Sequence, residues 1–440
     1  MDIKKIIESA DRFENEAVEI RRDFHKYAES AWTEFRTTAK IIEFLQERGI
    51  QVLYGLDVVD PEYCFSYPDK DTIEYHKKRA IEQGANPEIV EKMQGYTGAM
   101  AIIDSGKPGK TIAMRFDIDC NDLDEAKDEK HKPYRENFAS VNDGCMHACG
   151  HDGHATIGML TAAILNEYKD QLTGKVKIVF QLGEEGVKGA LSMVKKGILD
   201  DADFVYAAHI SAPGTEGTPS ICAAQKGSFA TTKIDITING KSSHAGGDPE
   251  KGNHAILAAC TAIMSMYSQI QSGKGNTRLN VGTIQGGTGR NVIPEKCFFR
   301  VETRGSNTEA EQDVYDAVLR CVDAACRAYG CTWSHEIKGR AVTAEFDEPL
   351  IHAIMKAAEL VPEFKNISES INLHGGADDF AYMVRRVQEV GGMGCYMALQ
   401  TEEAAGHHNS YFDFDEKCLI PGVKQFLAVT GYIMEHGVEE

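Results

Sequence analysis

Positive charge is what this chain most lacks: 47 lysines and arginines stand against 67 aspartates and glutamates in 440 residues, a formal net charge of −20. Such a surface repels nucleic-acid phosphates and anionic membranes, and no local basic patch offsets it, so neither is expected as a partner. It also repels anionic substrates at long range, which must then be held by metal ions or by placed arginines. A long apolar run is missing too. The opening Met-Asp-Ile-Lys-Lys-Ile-Ile-Glu alternates charged and apolar residues, which fits neither a signal peptide nor a membrane span, and a cytoplasmic location is expected. Repeats and low-complexity tracts are absent, as is any Cys-x-x-Cys motif. The twelve cysteines are irregularly scattered and read as buried reduced thiols rather than as a disulfide framework. Disorder is excluded by a composition that is 42% hydrophobic and 26% charged, ordinary for a globular protein. The length predicts two domains.

What is present in concentration is metal-binding chemistry. Met146-His147-Ala148-Cys149-Gly150-His151-Asp152-Gly153-His154 packs one thiol, three imidazoles and a carboxylate into nine residues. Cys149 and His151 are two apart and would diverge on a helix, so they are placed on a loop, with a helix over Ala155 to Leu165 behind it. His147 and His154 read as supporting or helix-capping groups. Asp152 reads as the group that orients a liganding imidazole.

The periodicity predicts two helices within Ile3 to Gly49. It predicts strands over Met100–Ile103, Thr111–Phe116, Lys175–Phe180, Phe204–Ala208 and Cys395–Leu399, a helix over Leu350–Leu360 and a turn at His374–Asp378. Strands alternating with helices predict an α/β domain on a mostly parallel central sheet. Between them lies a different pattern: strand Lys233–Ile238, helix His254–Ser268, strands Arg278–Ile284 and Lys296–Glu302, helix Ala310–Ala328, strand Thr332–Ile337. This β-α-β-β-α-β order predicts an inserted ferredoxin-like α+β module. The expected division is 1–226 and 339–440 for the first domain and 227–338 for the insert.

Open α/β sheets bind ligands beyond the carboxyl ends of their strands. That rule selects Glu184 and Glu185 after one strand, His209 closing the next, and His407 and His408 after the last, to converge with Cys149 and His151. Thiolate, imidazole and carboxylate together suit zinc, manganese, cobalt or nickel, and suit calcium or magnesium poorly. A metalloenzyme is one reading. A thiol redox or metal-sensing protein built on Cys145 and Cys149 is another, and a catalytically inactive subunit of a hetero-oligomer is a third.

Five motifs carry a resemblance. His147-Ala-Cys149-Gly-His151-Asp152-Gly-His154, Gln181-Leu-Gly-Glu184-Glu185-Gly186, Ser243-His244-Ala245, Gly286-Gly-Thr-Gly-Arg290-Asn291-Val-Ile-Pro294 and Gly406-His-His408-Asn409 occur in this order in the metal-dependent amidohydrolases. That family includes hippurate, auxin-conjugate and aminobenzoyl-glutamate hydrolases, and the chain resembles the last group most, over essentially its whole length. The resemblance implies that Cys149, His151, Glu185, His209 and His408 hold two divalent ions, manganese or zinc foremost, with Cys149 bridging and Glu184 as general base. It implies that the insert is a lid and dimerisation domain, from which His244 would stabilise the oxyanion and Asn291 would reach substrate. The expected reaction is hydrolysis of an N-acyl amino acid, p-aminobenzoyl-glutamate or a related aromatic acyl-glutamate above others; hippurate-like, acetyl or indole-acyl conjugates and dipeptides are the alternatives. A homodimer, or a heterodimer with a paralogous subunit, is expected. Arg290 departs from the family and would bind a further substrate carboxylate or make a surface ion pair; Arg304 has the same two readings. Asp378 stands where relatives carry glutamate. The insertion Asp57–Gln94 brings Tyr63, Phe65, Tyr67 and nearby Tyr96, either to an acyl pocket or to packing.

Overall fold

Runs such as Thr111–Asp117 and Lys175–Gln181 are buried along nearly their whole length, as strands covered on both faces must be. The computed structural model describes residues 1–214, 217–372 and 375–438; His374 of the expected turn lies outside them. Its strands are β1 (Gln51–Tyr54), β2 (Ala99–Asp104), β3 (Thr111–Asp117), β4 (Lys175–Gln181), β5 (Phe204–Ser211), β6 (Ser220–Lys226), β7 (Ala230–Asn239), β8 (Thr277–Gly286), β9 (Lys296–Gly305), β10 (Thr332–Ala341), β11 (Ile367–Asn372) and β12 (Met393–Gln400). Among the described residues they form one sheet in the order β1-β2-β4-β3-β5-β12-β6-β11 and a second in the order β10-β7-β9-β8.

In the large sheet β4, β3, β5 and β12 are mutually parallel, while β2 and β6 join antiparallel on either side. The carboxyl ends of the four central strands therefore share one edge. Side chains alternate across the sheet. Ile112, Met114 and Phe116 with Ile178, Phe180 and Tyr206 face the helices Phe35–Glu47, His151–Glu167 and Leu419–His436. Ala113, Val179, Val205 and Ala207 face Ala190–Lys195 and Ala381–Glu389 on the other side. Helix His151–Glu167 is buried continuously from His151 to Leu165, which accounts for its lack of a polar stripe.

The small sheet follows the order β7, helix Ala255–Tyr267, β8, β9, helix Thr308–Tyr329, β10, a ferredoxin-like arrangement. Ile234, Ile236 and Ile238 pack with Phe299 and Val301 beneath the two helices. The other face carries Thr231, Lys233 and Asp235 opposite Arg304, Glu302 and Arg300. Where β10 shifts register between Ile337 and Gly339, its backbone crosses the loop after β4. A Cβ on Gly339 would lie 2.0 Å from the Gly186 carbonyl oxygen, and Arg340 N–H donates to Val187 O at 2.9 Å.

Several expectations need correction. The first 49 residues hold three α-helices, not two, because a 3₁₀ turn at Ser9–Phe13 separates Ile3–Glu8 from Glu14–Lys26. His151 begins a helix instead of lying on a loop; Gly150, in the left-handed region at φ 85°, makes the turn into it. β5 runs on to Ser211, so His209 lies within the strand. In the 57–94 insertion, Tyr67 stacks on Tyr96 and meets the edge of Trp32. Tyr67 and Tyr96 thus pack against the core, whereas Tyr75 is exposed.

One buried network ties the N-terminal helices to the metal-rich motif. Arg21 pairs with Asp152, Asp413 and Glu416, and His25 lies between Asp152 Oδ2 at 2.8 Å and Glu125 Oε1 at 2.9 Å, with the His147 ring 6.3 Å away. Burial and the neighbouring Arg21 charge act to lower the His25 pKa. Its hydrogen bonds to Asp152 and Glu125, with the Glu125 charge, outweigh both and raise it to about 9. A raised folded-state value means that the stabilisation is complete below the unfolded value of ~6.5 and is lost as pH climbs through 9, up to about 3 kcal/mol in all. Thermal melts between pH 6 and 10 should show an alkaline decline in the parent that is shallower in His25→Gln; parallel curves would refute the assignment.

Candidate active site

The shared carboxyl edge of the central strands carries the reactive groups. Cys149 ends the loop before helix His151–Glu167. Its Sγ lies 3.4 Å from His209 Nε2 and 3.7 Å from His407 Nδ1. His151 Nδ1 donates to the Asp119 carbonyl at 2.9 Å, which aims Nε2 at Asp117 Oδ2, 3.6 Å away, and Glu184 Oε2, 3.9 Å away. His209 Nδ1 likewise donates to Ile210 O, leaving Nε2 toward the thiol. Backbone acceptors align a ligand imidazole in this way. Glu185 Oε1 is 3.5 Å from His408 Nε2, and His408 N–H donates to Ala148 O at 2.8 Å, closing the last motif onto the first. His408 and the β-branched Val187 both hold left-handed backbone, at φ 61° and 58°, a strained conformation that clusters at functional sites.

Asp119 is the keystone of the loop after β4. Its two carboxylate oxygens accept from the backbone N–H groups of Glu184 and Glu185 at 3.0 and 2.8 Å. Asp117 bonds His154 Nδ1 and pairs with Arg115 at 2.7 Å; His154 Nε2 accepts from Ile210 N–H, so both its nitrogens are satisfied. Arg115 also reaches Asp378 at 3.1 Å, whose other oxygen accepts from the Tyr396 hydroxyl at 2.6 Å. The shorter aspartate is thus held by two side chains and by the Phe380 N–H at 2.8 Å.

The electrostatics favour a cation. Burial, joined by Asp378 and Glu185, pushes the Glu184 carboxyl well above its ordinary range. Burial alone would lower His151, yet Asp117 and Asp119 raise it to about 10. Burial raises the Cys149 thiol, and the surrounding carboxylates add to the effect. His151 Nε2 and Glu185 Oε1 are buried without hydrogen-bond partners, although buried polar atoms are normally paired. Cys149, His151 and His209 present ligand atoms within 4.8 Å of one another, as do Cys149, Glu185 and His408. Two adjoining ligand sets that share one sulfur fit a pair of divalent ions.

These groups open into a cavity of about 380 Å³, bounded on the lid side by Thr231, Lys233 and Arg304, with Phe346 and Phe380 among its apolar walls. Arg304 therefore lines it. His244, Arg290 and Asn291 do not; they sit in exposed lid segments, where His244 Nδ1 accepts from the N–H groups of Gly246 and Gly247. Cys145 lies against Ser30 at 3.3 Å and clusters with Cys120, while Cys149 faces imidazoles, so Cys145 and Cys149 occupy separate environments. Sequence reasoning missed Asp117, Asp119, Arg115 and Lys233, while the expected approach of His407 to Cys149 is present at 3.7 Å. Applying the strand-end rule to β3, which closes in Asp117-Ile-Asp119, would have found the first two.

Residues 113–430 match peptidase family M20/M25/M40. The chain is 40% identical to a Haemophilus influenzae homolog of one subunit of p-aminobenzoyl-glutamate hydrolase, over 94% of this chain and 98% of that one. It is also 40% identical to an indole-3-acetyl-aspartic acid hydrolase of Enterobacter agglomerans, over 94% and 95%. Among solved structures, an aminobenzoyl-glutamate utilization protein from Klebsiella pneumoniae superposes with a TM-score of 0.84 at 31% identity, covering 98% of this chain and 99% of that one. With two relatives at this identity over nearly the full length, the chain belongs to peptidase family M20/M25/M40.

Proposed function

We propose that the protein hydrolyses the amide bond of N-acyl amino acids, aromatic acyl conjugates of glutamate or aspartate foremost. Cys149, His151, Glu185, His209 and His408 would hold two divalent ions, manganese or zinc first and cobalt or nickel as alternatives. The observation that carries the reading is the set of partnerless buried ligand atoms around Cys149 beside Glu184. Relatives named as hydrolases of p-aminobenzoyl-glutamate and indole-3-acetyl-aspartate support the substrate class.

A divalent pair bound there supplies Lewis-acid polarisation of the scissile carbonyl and lowers the pKa of water, to about 7 at zinc. Glu184 takes the proton of the attacking water on its carboxylate and returns it to the leaving nitrogen. Asp119 fixes the loop so that Glu184 faces the cavity while Glu185 faces His408. Asp378 keeps a second carboxylate near Glu184. The apolar walls at Phe346 and Phe380 receive the acyl group.

The test is a screen of N-acyl glutamates, aspartates and glycines with manganese and with zinc, reading free amino acid. Turnover that a chelator abolishes and added metal restores is expected; no turnover of any conjugate with either metal would sink the reading.

Two copies, or one copy with a paralogous subunit, are proposed to assemble through the lid. Leu257, Met264 and Tyr267 stand exposed along one helix, β8 has an open edge, and two relatives carry names that make them subunits of a larger hydrolase. His244 would then serve the partner's cavity. For two copies, sedimentation should give twice the 48.4 kDa chain mass; a monomer at micromolar concentration would overturn the homodimer and leave assembly with a paralogous subunit. The twelve free thiols suit a reducing cytoplasm.

A further inference from the structure

Two cations line the cavity from the lid, and they differ in what already occupies them. Arg304 is engaged: Nη1 donates to Gly375 O at 2.6 Å and Nη2 to Glu302 at 3.0 Å. Glu302 also accepts from the Thr231 hydroxyl at 3.2 Å. Lys233 stands directly opposite Glu302 in the β7–β9 register, yet Arg304 holds that carboxylate. Among the described residues no carboxylate comes within 4 Å of the Lys233 ammonium, although the side chain is half-buried. Beyond that distance its charge still feels Glu302 first and Glu184 next.

An ammonium has three donors and no acceptor, and a half-buried cation without a partner is costly to keep. In a chain of net charge −20, carboxylates are abundant, so an unpaired lysine on the cavity wall stands out. It lines the same cavity as Cys149, Glu184, Glu185, His209 and His408.

We propose that Lys233 is a specificity residue, its ammonium pairing with the side-chain carboxylate of a bound glutamate or aspartate moiety and so favouring acidic conjugates over glycine conjugates. This rests on the hydrolase reading and names the half of the substrate that Lys233 selects. Arg304, pinned by two protein acceptors, shapes the same wall. Lys233 also borders a second crevice lined by Asp122, Lys188 and Lys338, and a lysine merely solvated there would leave substrate preference untouched.

The test uses the metal-loaded full chain and the variants Lys233→Met and Lys233→Arg, each checked for an unchanged melting curve. The quantity read is the ratio of kcat/KM for benzoyl-L-glutamate to that for benzoylglycine. Loss of a charge-assisted contact should lower this ratio about 30-fold in the Met variant, mainly through KM, with the Arg variant recovering most of it. A ratio preserved within about threefold would overturn the inference. Should the parent hydrolyse no conjugate, the hydrolase reading fails on its own, and Lys233 is judged by calorimetric binding of L-glutamate against L-alanine. A weaker preference for glutamate in the Met variant upholds the inference, and an equal preference overturns it.

Discussion

Replacing Glu184 by glutamine is expected to lower kcat by roughly 10²–10⁴-fold while both ions stay bound. The change keeps the side chain's size and leaves the backbone N–H of residue 184 on Asp119 Oδ1, so the loop and the Glu185 ligand hold their places. What disappears is the ability to accept a proton. The effect should fall on kcat, because the carboxylate acts on water and not on the resting substrate. Metal analysis of the purified variant, beside its steady-state kinetics, separates the two roles. Near-full activity would remove Glu184 as base, whereas loss of metal would recast it as a ligand.

Replacing Arg21 by methionine is expected to destabilise the fold by about 3–5 kcal/mol, the cost of breaking a buried ion cluster by removing one partner. Arg21 is fully buried. Its guanidinium lies over the rings of Phe138 and Phe414 and contacts Asp152 at 2.8 Å, Asp413 at 2.7 Å and Glu416 at 3.3 Å. Without it Asp152 and Asp413 are charges of one sign in low dielectric. Asp152 adjoins His151, so the loss should reach the metal cluster as well as the core. Urea unfolding of Arg21→Met beside Arg22→Met makes the comparison, because Arg22, also paired with Glu416, is partly exposed and should cost under about 1 kcal/mol. Equal effects at both positions would refute the buried-cluster argument.

The metal side of the site was legible because its residues announce themselves. Cys149 and His151 lie in one dense motif; Glu184, Glu185 and His408 follow, and His209 lies within, strands whose apolar runs are plain. Asp117 and Asp119 were hidden by their setting: Arg115-Phe-Asp-Ile-Asp119 reads as the tail of a strand, and only the tertiary fold shows that Asp119 fastens a loop 65 residues away. Lys233 was concealed by regularity. In Lys-Ile-Asp-Ile-Thr-Ile it looks like one more polar residue of an alternating strand, and nothing local reveals that its face of the lid meets the cavity. The lid itself was legible from element order alone. β6 was not, since Ser-Ile-Cys-Ala-Ala-Gln-Lys has few β-branched residues, nor was β11, a short and half-exposed edge strand. Both acquire their state from the neighbours they pair with.

The crossing of β10 over the loop after β4 bears on how this architecture can be recombined. A chimera that exchanges the insert at residue 338 would divide the lid between Lys338 and Gly339, directly above the Glu184–Val187 loop. The foreign strand would need a glycine at the first position of its return, since any side chain there meets the Gly186 carbonyl oxygen, and a backbone N–H at the second to reach Val187. A graft carried through Ala341 brings both with it. The transferable cassette is therefore longer than the domain it contains, and its final residues belong in function to the catalytic half.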